Sequence, residues 1–175
     1  MNLYLRLLAL VVQILLDRKP AARNESCLQF RVLPLDCDVN LHMNNGRYLT
    51  FMDLGRVHLL HNLRALGPIL KRRWSPVLGA ADMSYVRPLR PFQKFKLMTR
   101  IVYWDAKYFY IEQRFETNGK LYASAMIRGL FLTGSQKVST EAVLALSPAG
   151  LSRGEMPELI KCWNAVLALK KDAPF

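Results

Sequence analysis

The stretch LDCDVNLHMNNGRYLTFMDLGR, residues 35–56, decides how this chain reads. Asp36, Asp38, Asn40, His42, Asn44 and Asn45 fall within ten residues, and a helical pattern follows at once. Carboxylate, amide and imidazole at alternating positions share one side of an extended loop. Asn44 and Asn45 suit a helix N-cap, because a side-chain oxygen can accept from an orphan N–H of the first turn. Gly46 lets a ligand approach the backbone closely. From about Arg47 to Leu66, the residues Tyr48, Phe51, Met52, Gly55, Leu59, Asn62 and Leu66 recur near helical spacing. The pattern thus delivers a carboxylate and an imidazole to the positive end of a helix dipole. A carbonyl oxygen turning into an oxyanion is stabilised at such a place. The bland alternative is a capped turn, since Asp and Asn are ordinary turn formers. A calcium loop is excluded, because the glycine is misplaced and the twelfth-position acid is missing.

Working outward, Leu28 to Leu33 alternates with period two and reads as a short strand. Pro34 stops it. After the long helix, Leu66-Gly67-Pro68 is a break, and Ile69 to Trp74 reads as a basic exposed segment. Strands follow at Val77–Pro88, Phe95–Trp104, Tyr108–Glu116 and Leu121–Leu132. Asn118-Gly119 joins the last two as a hairpin, since both residues tolerate positive φ. The link Asp105-Ala106-Lys107 is short enough for another. Ser139 to Leu146 is ambiguous. Met156 to Lys171 reads as an amphipathic helix with Leu159, Trp163, Val166 and Leu167 on one face. One strand, a long helix and then a meander is an α+β order.

The first sixteen residues are apolar apart from Asn2, Arg6 and Gln13, and Arg6, Gln13 and Asp17 fall on one narrow helical stripe. The run is shorter than the ~20 residues of a membrane span. No A-x-A cleavage site follows directly, although Ala21-Ala22 leaves a faint signal-peptide reading. Pro20 ends the helix. Docking on protein is expected, with a peripheral membrane contact through residues 1–19 as the runner-up. Residues 1–22 form an apolar helix and linker, and residues 23–175 one domain.

Of the 175 residues, 51% are hydrophobic and 22% charged, which describes a globular chain and excludes a disordered one. Three widely spaced cysteines, Cys27, Cys37 and Cys162, argue against a disulfide framework and for a reducing, cytoplasmic setting. No C-x-x-C pair is present, so no metal site is expected. Twenty-five Lys and Arg against 13 Asp and Glu give a net charge of +12. The basic residues are scattered except for Lys71-Arg72-Arg73, and no nucleic-acid signature accompanies them, so no specific nucleic-acid partner is expected. Phosphates of a ligand, an acidic carrier protein or an anionic membrane explain the charge as well as a solvated surface does.

DCDVNLHMNNGRYL resembles the active-site segment of hotdog-fold thioesterases of the 4-hydroxybenzoyl-CoA thioesterase type. Its D-x-N-x-H-x-N-N part is also similar to the plant acyl-carrier-protein thioesterases. The likeness is greatest to small thioesterase-superfamily proteins with an L-H-M-N-N-x-R-Y-L segment, whose later W-D-x-x-x-F-Y-x-E-x-R-F stretch is matched by Trp104 to Phe115. The resemblance covers most of Leu28 to Leu132. It implies a single hotdog domain, an antiparallel sheet wrapped around a long central helix, with an added N-terminal apolar helix and a C-terminal helix. It also implies a homodimer or dimer of dimers, no cofactor, and hydrolysis of acyl-CoA or acyl-carrier-protein thioesters.

On that resemblance Asp38 is the catalytic carboxylate, as nucleophile or general base. Asn40 orients the carbonyl or water, and His42 polarises water or assists the leaving thiolate. Backbone N–H groups of Asn44, Asn45 and Gly46 would hold the oxyanion. Arg87, Arg90 and Lys94 are candidates for coenzyme A phosphates. Asp36 reads as a loop cap, and His58 and His61 as packing or surface residues. The chain departs from the plant enzymes in holding one hotdog unit and in lacking a clear downstream acid, for which Glu112 is a candidate. A non-catalytic acyl-binding or membrane-associated protein of the same fold is the alternative function. A hydratase and a nucleic-acid binder are more distant rivals.

Overall fold

Asn118 and Gly119 both take positive φ, +50° and +73°, and fold the two longest adjacent strands into a tight hairpin. Asp105 closes the other hairpin: its Oδ1 accepts from the backbone N–H groups of Lys107 and Tyr108, at 2.8 and 2.7 Å. The computed structural model describes residues 2–17 and 22–172, so the Pro20 helix stop lies outside the described residues. In chain order the elements are α1 (Asn2–Leu16), β1 (Ser26–Arg31), a 3₁₀ turn (Pro34–Asp36), α2 (Asn45–Asn62), α3 (Leu66–Lys71), β2 (Ser75–Tyr85), β3 (Lys94–Trp104), β4 (Phe109–Thr117), β5 (Lys120–Thr133), β6 (Gln136–Val138), α4 (Thr140–Leu144) and α5 (Glu158–Asp172). The sheet is antiparallel throughout, in the order β1-β3-β4-β5-β2, with the short β6 beside β5.

The sheet wraps α2, as the resemblance implied. Along β4 the alternation separates the two faces. Phe109, Gln113 and Phe115 are buried toward α2, whereas Tyr110 lies on the other face among Tyr103, Ile160 and Trp163. Tyr48, Phe51 and Met52 of α2 pack on Phe95, Leu97 and Phe115. Toward its C-terminal end, Leu59 and Leu63 pack with Phe109, Phe131 and Val143. Phe109 and Phe115 are therefore core aromatics.

Three sequence expectations are corrected. The break falls at Arg64 (φ +57°), and Leu66-Gly67-Pro68 instead opens α3, where a first-turn proline costs no hydrogen bond. The segment after it is not simply exposed, because Ile69 is buried in the core. In α5 the buried stripe is Ile160, with Trp163 and Asn164 half-buried beside it, while Leu159 and Val166 face solvent. The stripe shifts by one residue because Asn164 turns inward to the Tyr110 hydroxyl and to Arg128.

The helix α1 docks on its own chain, with Leu10 buried against Leu28 and Leu54 and flanked by Leu7 and Ile14. Its polar stripe is divided between protein and solvent. Arg6 faces inward, and Asp17 just beyond the helix lies 3.7 Å from His61. The outer face retains Tyr4, Leu5, Leu8, Val12, Leu15 and Leu16, all exposed. No described helix is long and apolar enough to cross a membrane. His58 is a packing residue as expected. Its Nδ1 lies 2.8 Å from the Ser26 hydroxyl, and burial pushes its pKa down.

Gly55 sets the distance between α2 and the sheet. A Cβ there would lie 2.5 Å from Thr99 Oγ1, 2.9 Å from Gln113 Nε2 and 3.0 Å from Leu97 Cδ2. Gly55→Ala is expected to destabilise the fold by about 1–3 kcal/mol, since overpacking outweighs the ~1 kcal/mol gain in helix propensity. Gly67→Ala in α3, where nothing lies within 4 Å, is expected to be neutral or stabilising. Urea midpoints of the two variants check this, and equal midpoints would show that the close approach is not a constraint.

Candidate active site

Residues 37–43 form a small hairpin of their own. Cys37 and Met43 make an isolated antiparallel bridge, the Asp38 N–H donates to the His42 carbonyl at 2.9 Å, and the Leu41 N–H donates to the Asp38 carbonyl at 3.1 Å. Leu41 turns the corner at φ +57°. Asp38 and His42 therefore stand opposite each other on one face of the hairpin, where cross-strand side chains are neighbours. Met43 on the other face is buried in the core, and Cys37 packs beside it. Asp38 and His42 are both half-buried and point away from that core. Asn40 is exposed, and its backbone N–H donates to Asp38 Oδ1 at 2.9 Å, which fixes the carboxylate within the turn. Carboxylate, amide and imidazole are thus gathered in five residues, as the sequence spacing required.

The base of the hairpin is tied down on three sides. The Asn44 N–H donates to the Asp36 carbonyl, and the Met43 N–H to the Leu89 carbonyl, both at 2.8 Å. Arg47 reaches back to the Leu35 carbonyl at 3.2 Å. Asp36 is 1% exposed and does cap its turn, accepting from the Leu33 N–H at 2.8 Å. It does more than cap: Arg6 of α1 grips both its oxygens, at 2.7 and 3.3 Å. Burial lifts the phenol of Tyr48, in the first turns of α2, to about 12, against the opposing effect of the Leu89 amide. Cys37 is raised as well, by burial first and then by the carboxylates of Asp36 and Asp38, so its thiol is not primed as a nucleophile.

The N-terminus of α2 is less open than its sequence suggested. Asn44 is the N-cap, and its Oδ1 accepts from Gly46 N–H at 2.9 Å. The Asn44 amide is itself engaged with Asp36. Among the described residues, only the Asn45 amide of the expected three is uncommitted at the helix start. Of the basic candidates, Arg87 and Arg90 flank Leu89 and so border the hairpin, but Arg87 also holds the Leu121 carbonyl at 2.6 Å. Lys94 is exposed at the start of β3, opposite Arg31. Glu112 is not a downstream acid of this site. It pairs with Arg100 at 2.8 Å on the sheet face turned away from α2.

An apolar cavity of about 250 Å³ lies between α2 and the β2 edge of the sheet. Val57 and Leu60 of α2, Val77 and Leu78 of β2, and Leu130 line it, and α4 closes it with Leu144. Asp53 and Arg56 form an ion pair in its wall. Burial pushes the Arg56 pKa down, and Asp53 works against that shift. The cavity they border is built from strands far along the chain.

The sequence model of the thioesterase-like superfamily matches residues 32–161. The chain belongs to that superfamily. Protein THEM6 of Drosophila melanogaster is 33% identical to it over 137 residues, 77% of this chain and 69% of that protein. The chain spans 51% and 46% of the THEM6 proteins of Danio rerio and Xenopus laevis. Among solved structures, the Escherichia coli probable thioesterase YbaW superposes with a TM-score of 0.63 at 22% identity, covering 68% of this chain and 92% of that one. A variant of 4-hydroxybenzoyl CoA thioesterase, complexed with 4-hydroxybenzoyl CoA, gives 0.64 at 15% identity over 71% of this chain and 99% of that one. These superpositions establish the hotdog fold. The superfamily match includes the hairpin, α2 and the whole sheet beyond β1, and leaves α1 outside it.

Proposed function

We propose that this superfamily member hydrolyses acyl thioesters, of coenzyme A or of an acyl-carrier protein, with Asp38 as its essential carboxylate. The observation that carries the reading is the 37–43 hairpin, which sets Asp38 opposite His42 beside the N-terminus of α2. Asp38 either attacks the carbonyl carbon or takes a proton from the attacking water. The oxyanion is held at the helix start, where the uncommitted Asn45 amide and the dipole favour negative charge. His42 polarises the water or assists the departing thiolate, and Asn40 orients the carbonyl or the water. Arg87, Arg90 and Lys94 serve the phosphates of the thiol carrier. The reading requires no cofactor. Reduced Cys27, Cys37 and Cys162 suit a cytoplasmic setting, where thiols stay unpaired.

The acyl group belongs in the apolar cavity, and a second copy of the chain brings the chemistry to it. Asp53 is eight residues beyond Asn45, ~12 Å along α2, so a chain's own hairpin stands well away from its own cavity. The edge strand β2 is exposed along most of its length. Tyr85 at one end bonds the Asn45 carbonyl at 3.4 Å, whereas Val77 and Leu78 near the other end line the cavity. Antiparallel pairing of two β2 strands about a two-fold axis sets each hairpin near the partner's cavity and removes both edges. A dimer of dimers extends the same scheme. The domain proper begins after residue 22, with α1 as an addition to it.

The outer face of α1 favours one further contact. Seven exposed apolar side chains between Tyr4 and Leu16, on a chain of net charge +12, suit a helix lying in the surface of an anionic membrane.

Hydrolysis of an acyl-CoA series from short to long, with one aromatic thioester, should peak at one chain length. Asp38→Ala should cut kcat between about 100- and 10,000-fold. No turnover of any thioester by the wild type, carrier-protein substrates included, would sink the hydrolase reading and favour a non-catalytic acyl-binding protein. Sedimentation equilibrium should give at least twice the 20.1 kDa chain mass, and a monomer at assay concentration would exclude a shared site. The protein should co-sediment with phosphatidylserine vesicles at low salt, and Leu8→Gln with Val12→Gln should abolish this. Indifference of binding to those two changes would remove the membrane role of α1.

A further inference from the structure

Arg6 is the one charged residue within α1, and it lies outside the residues the superfamily match covers. Its side chain is nonetheless only 15% exposed. It touches three separate elements at one point. It donates to both oxygens of Asp36, at 2.7 and 3.3 Å, and to the Arg31 carbonyl at the end of β1, at 3.1 Å. Its face lies 4.3 Å from the centre of the Phe51 ring, two turns into α2. Strand end, 3₁₀ turn and helix meet there, immediately before the hairpin that carries Asp38 and His42.

Resting on the hydrolase reading above, we infer that Arg6 is a positioning residue for the catalytic hairpin, acting through Asp36. Asp36 faces two ways. Its carboxylate is bound by Arg6 and by the Leu33 N–H, and its carbonyl receives the N–H of Asn44, the cap of α2. The peptide unit that follows leads directly into Cys37 and Asp38. The planar guanidinium fork fixes the carboxylate in orientation as well as place, which a point charge does not. Through one residue it therefore fixes the spacing between the Asp38 side chain and the start of α2, the two groups that must act on the same carbonyl. Arg47, 4.0 Å from Asp36 Oδ1, supplies a weaker second cation from the other side. A misplacement of about 1 Å is enough to lose much of a rate that depends on alignment. Sequence alone did not join these residues, since thirty positions separate them.

The test uses the full chain with Arg6→Lys and Arg6→Gln. Asp36 is left intact, because its own replacement would unsettle a buried turn. Steady-state kinetics on the best acyl-CoA should show kcat falling about tenfold in Arg6→Lys and about a hundredfold in Arg6→Gln, with KM within about threefold of wild type. Hydrogen exchange at 20 °C should quicken at the amides of Asp38, Leu41 and Asn44, with the β3–β5 amides unchanged. Millimolar methylguanidine should restore part of the kcat of Arg6→Gln and none of that of Asp38→Ala. A folded Arg6→Gln with wild-type kcat, or exchange that quickens evenly over the sheet, overturns the positioning role while the hydrolase reading stands. A wild type that cleaves no thioester overturns the hydrolase reading and this role with it.

Discussion

The close approach of α2 to the concave face of the sheet is the constraint on which the rest depends. It is made possible by the absence of a side chain at Gly55 and is secured by a buried amide. Gln113 Nε2 donates to the Met52 carbonyl at 3.0 Å and to Thr99 Oγ1 at 2.9 Å, and its oxygen accepts from Arg56 at 2.8 Å. Three of the amide's four hydrogen-bonding positions are filled inside the core, so its burial leaves little uncompensated. An apolar contact would tolerate slow rotation of the helix about its axis. This polar clamp does not, because each bond has a direction. Fixing the rotation of α2 places Tyr48 and Phe51 under the hairpin and turns Asp53 and Arg56 toward the cavity.

Two carboxylates two residues apart meet opposite fates, and the difference is backbone geometry. Asp36 closes a 3₁₀ turn with its side chain directed into the protein, where an arginine and a backbone amide compensate its burial. Asp38 lies past Cys37, whose side chain packs inward, so the alternation of an extended chain carries Asp38 outward. The hairpin hydrogen bonds then hold it opposite His42. Val39, 96% exposed, and Leu41 form an apolar tip that this chain does not cover.

What could be read from the sequence was what is encoded locally. The four long strands and α2 announce themselves by period, and Asn118-Gly119 and Asp105 by turn chemistry. Asp38, Asn40 and His42 could be grouped because a short loop keeps its residues together whatever the fold. The misses share one cause. Arg6 with Asp36 and Asn164 with Tyr110 are contacts between distant segments, and each reverses a local preference. The one charged residue of an apolar helix faces a buried carboxylate. An asparagine in α5 displaced leucine and valine from the inner stripe because a tyrosine hydroxyl and an arginine were waiting beneath it. The helix N-cap was recognised, but not that the cap consumes the Gly46 amide.

The fold leaves two angles between α2 and the edges of the sheet, and the chain treats them differently. In the angle beside β1, α1 supplies Leu7, Leu10 and Ile14 against Leu28 and Leu54, so that side is filled and dry. In the angle beside β2, α4 covers one end only, and the remainder stays open as the apolar cavity. A largely apolar cleft beside an unpaired strand is costly in water unless something enters or covers it. Filling the first angle with a helix therefore does more than add burial. It leaves the β2 side as the one of the two angles that stays open, and it anchors the hairpin from the side opposite to that opening. The hairpin and the apolar cavity are in this way set toward the two ends of one helix.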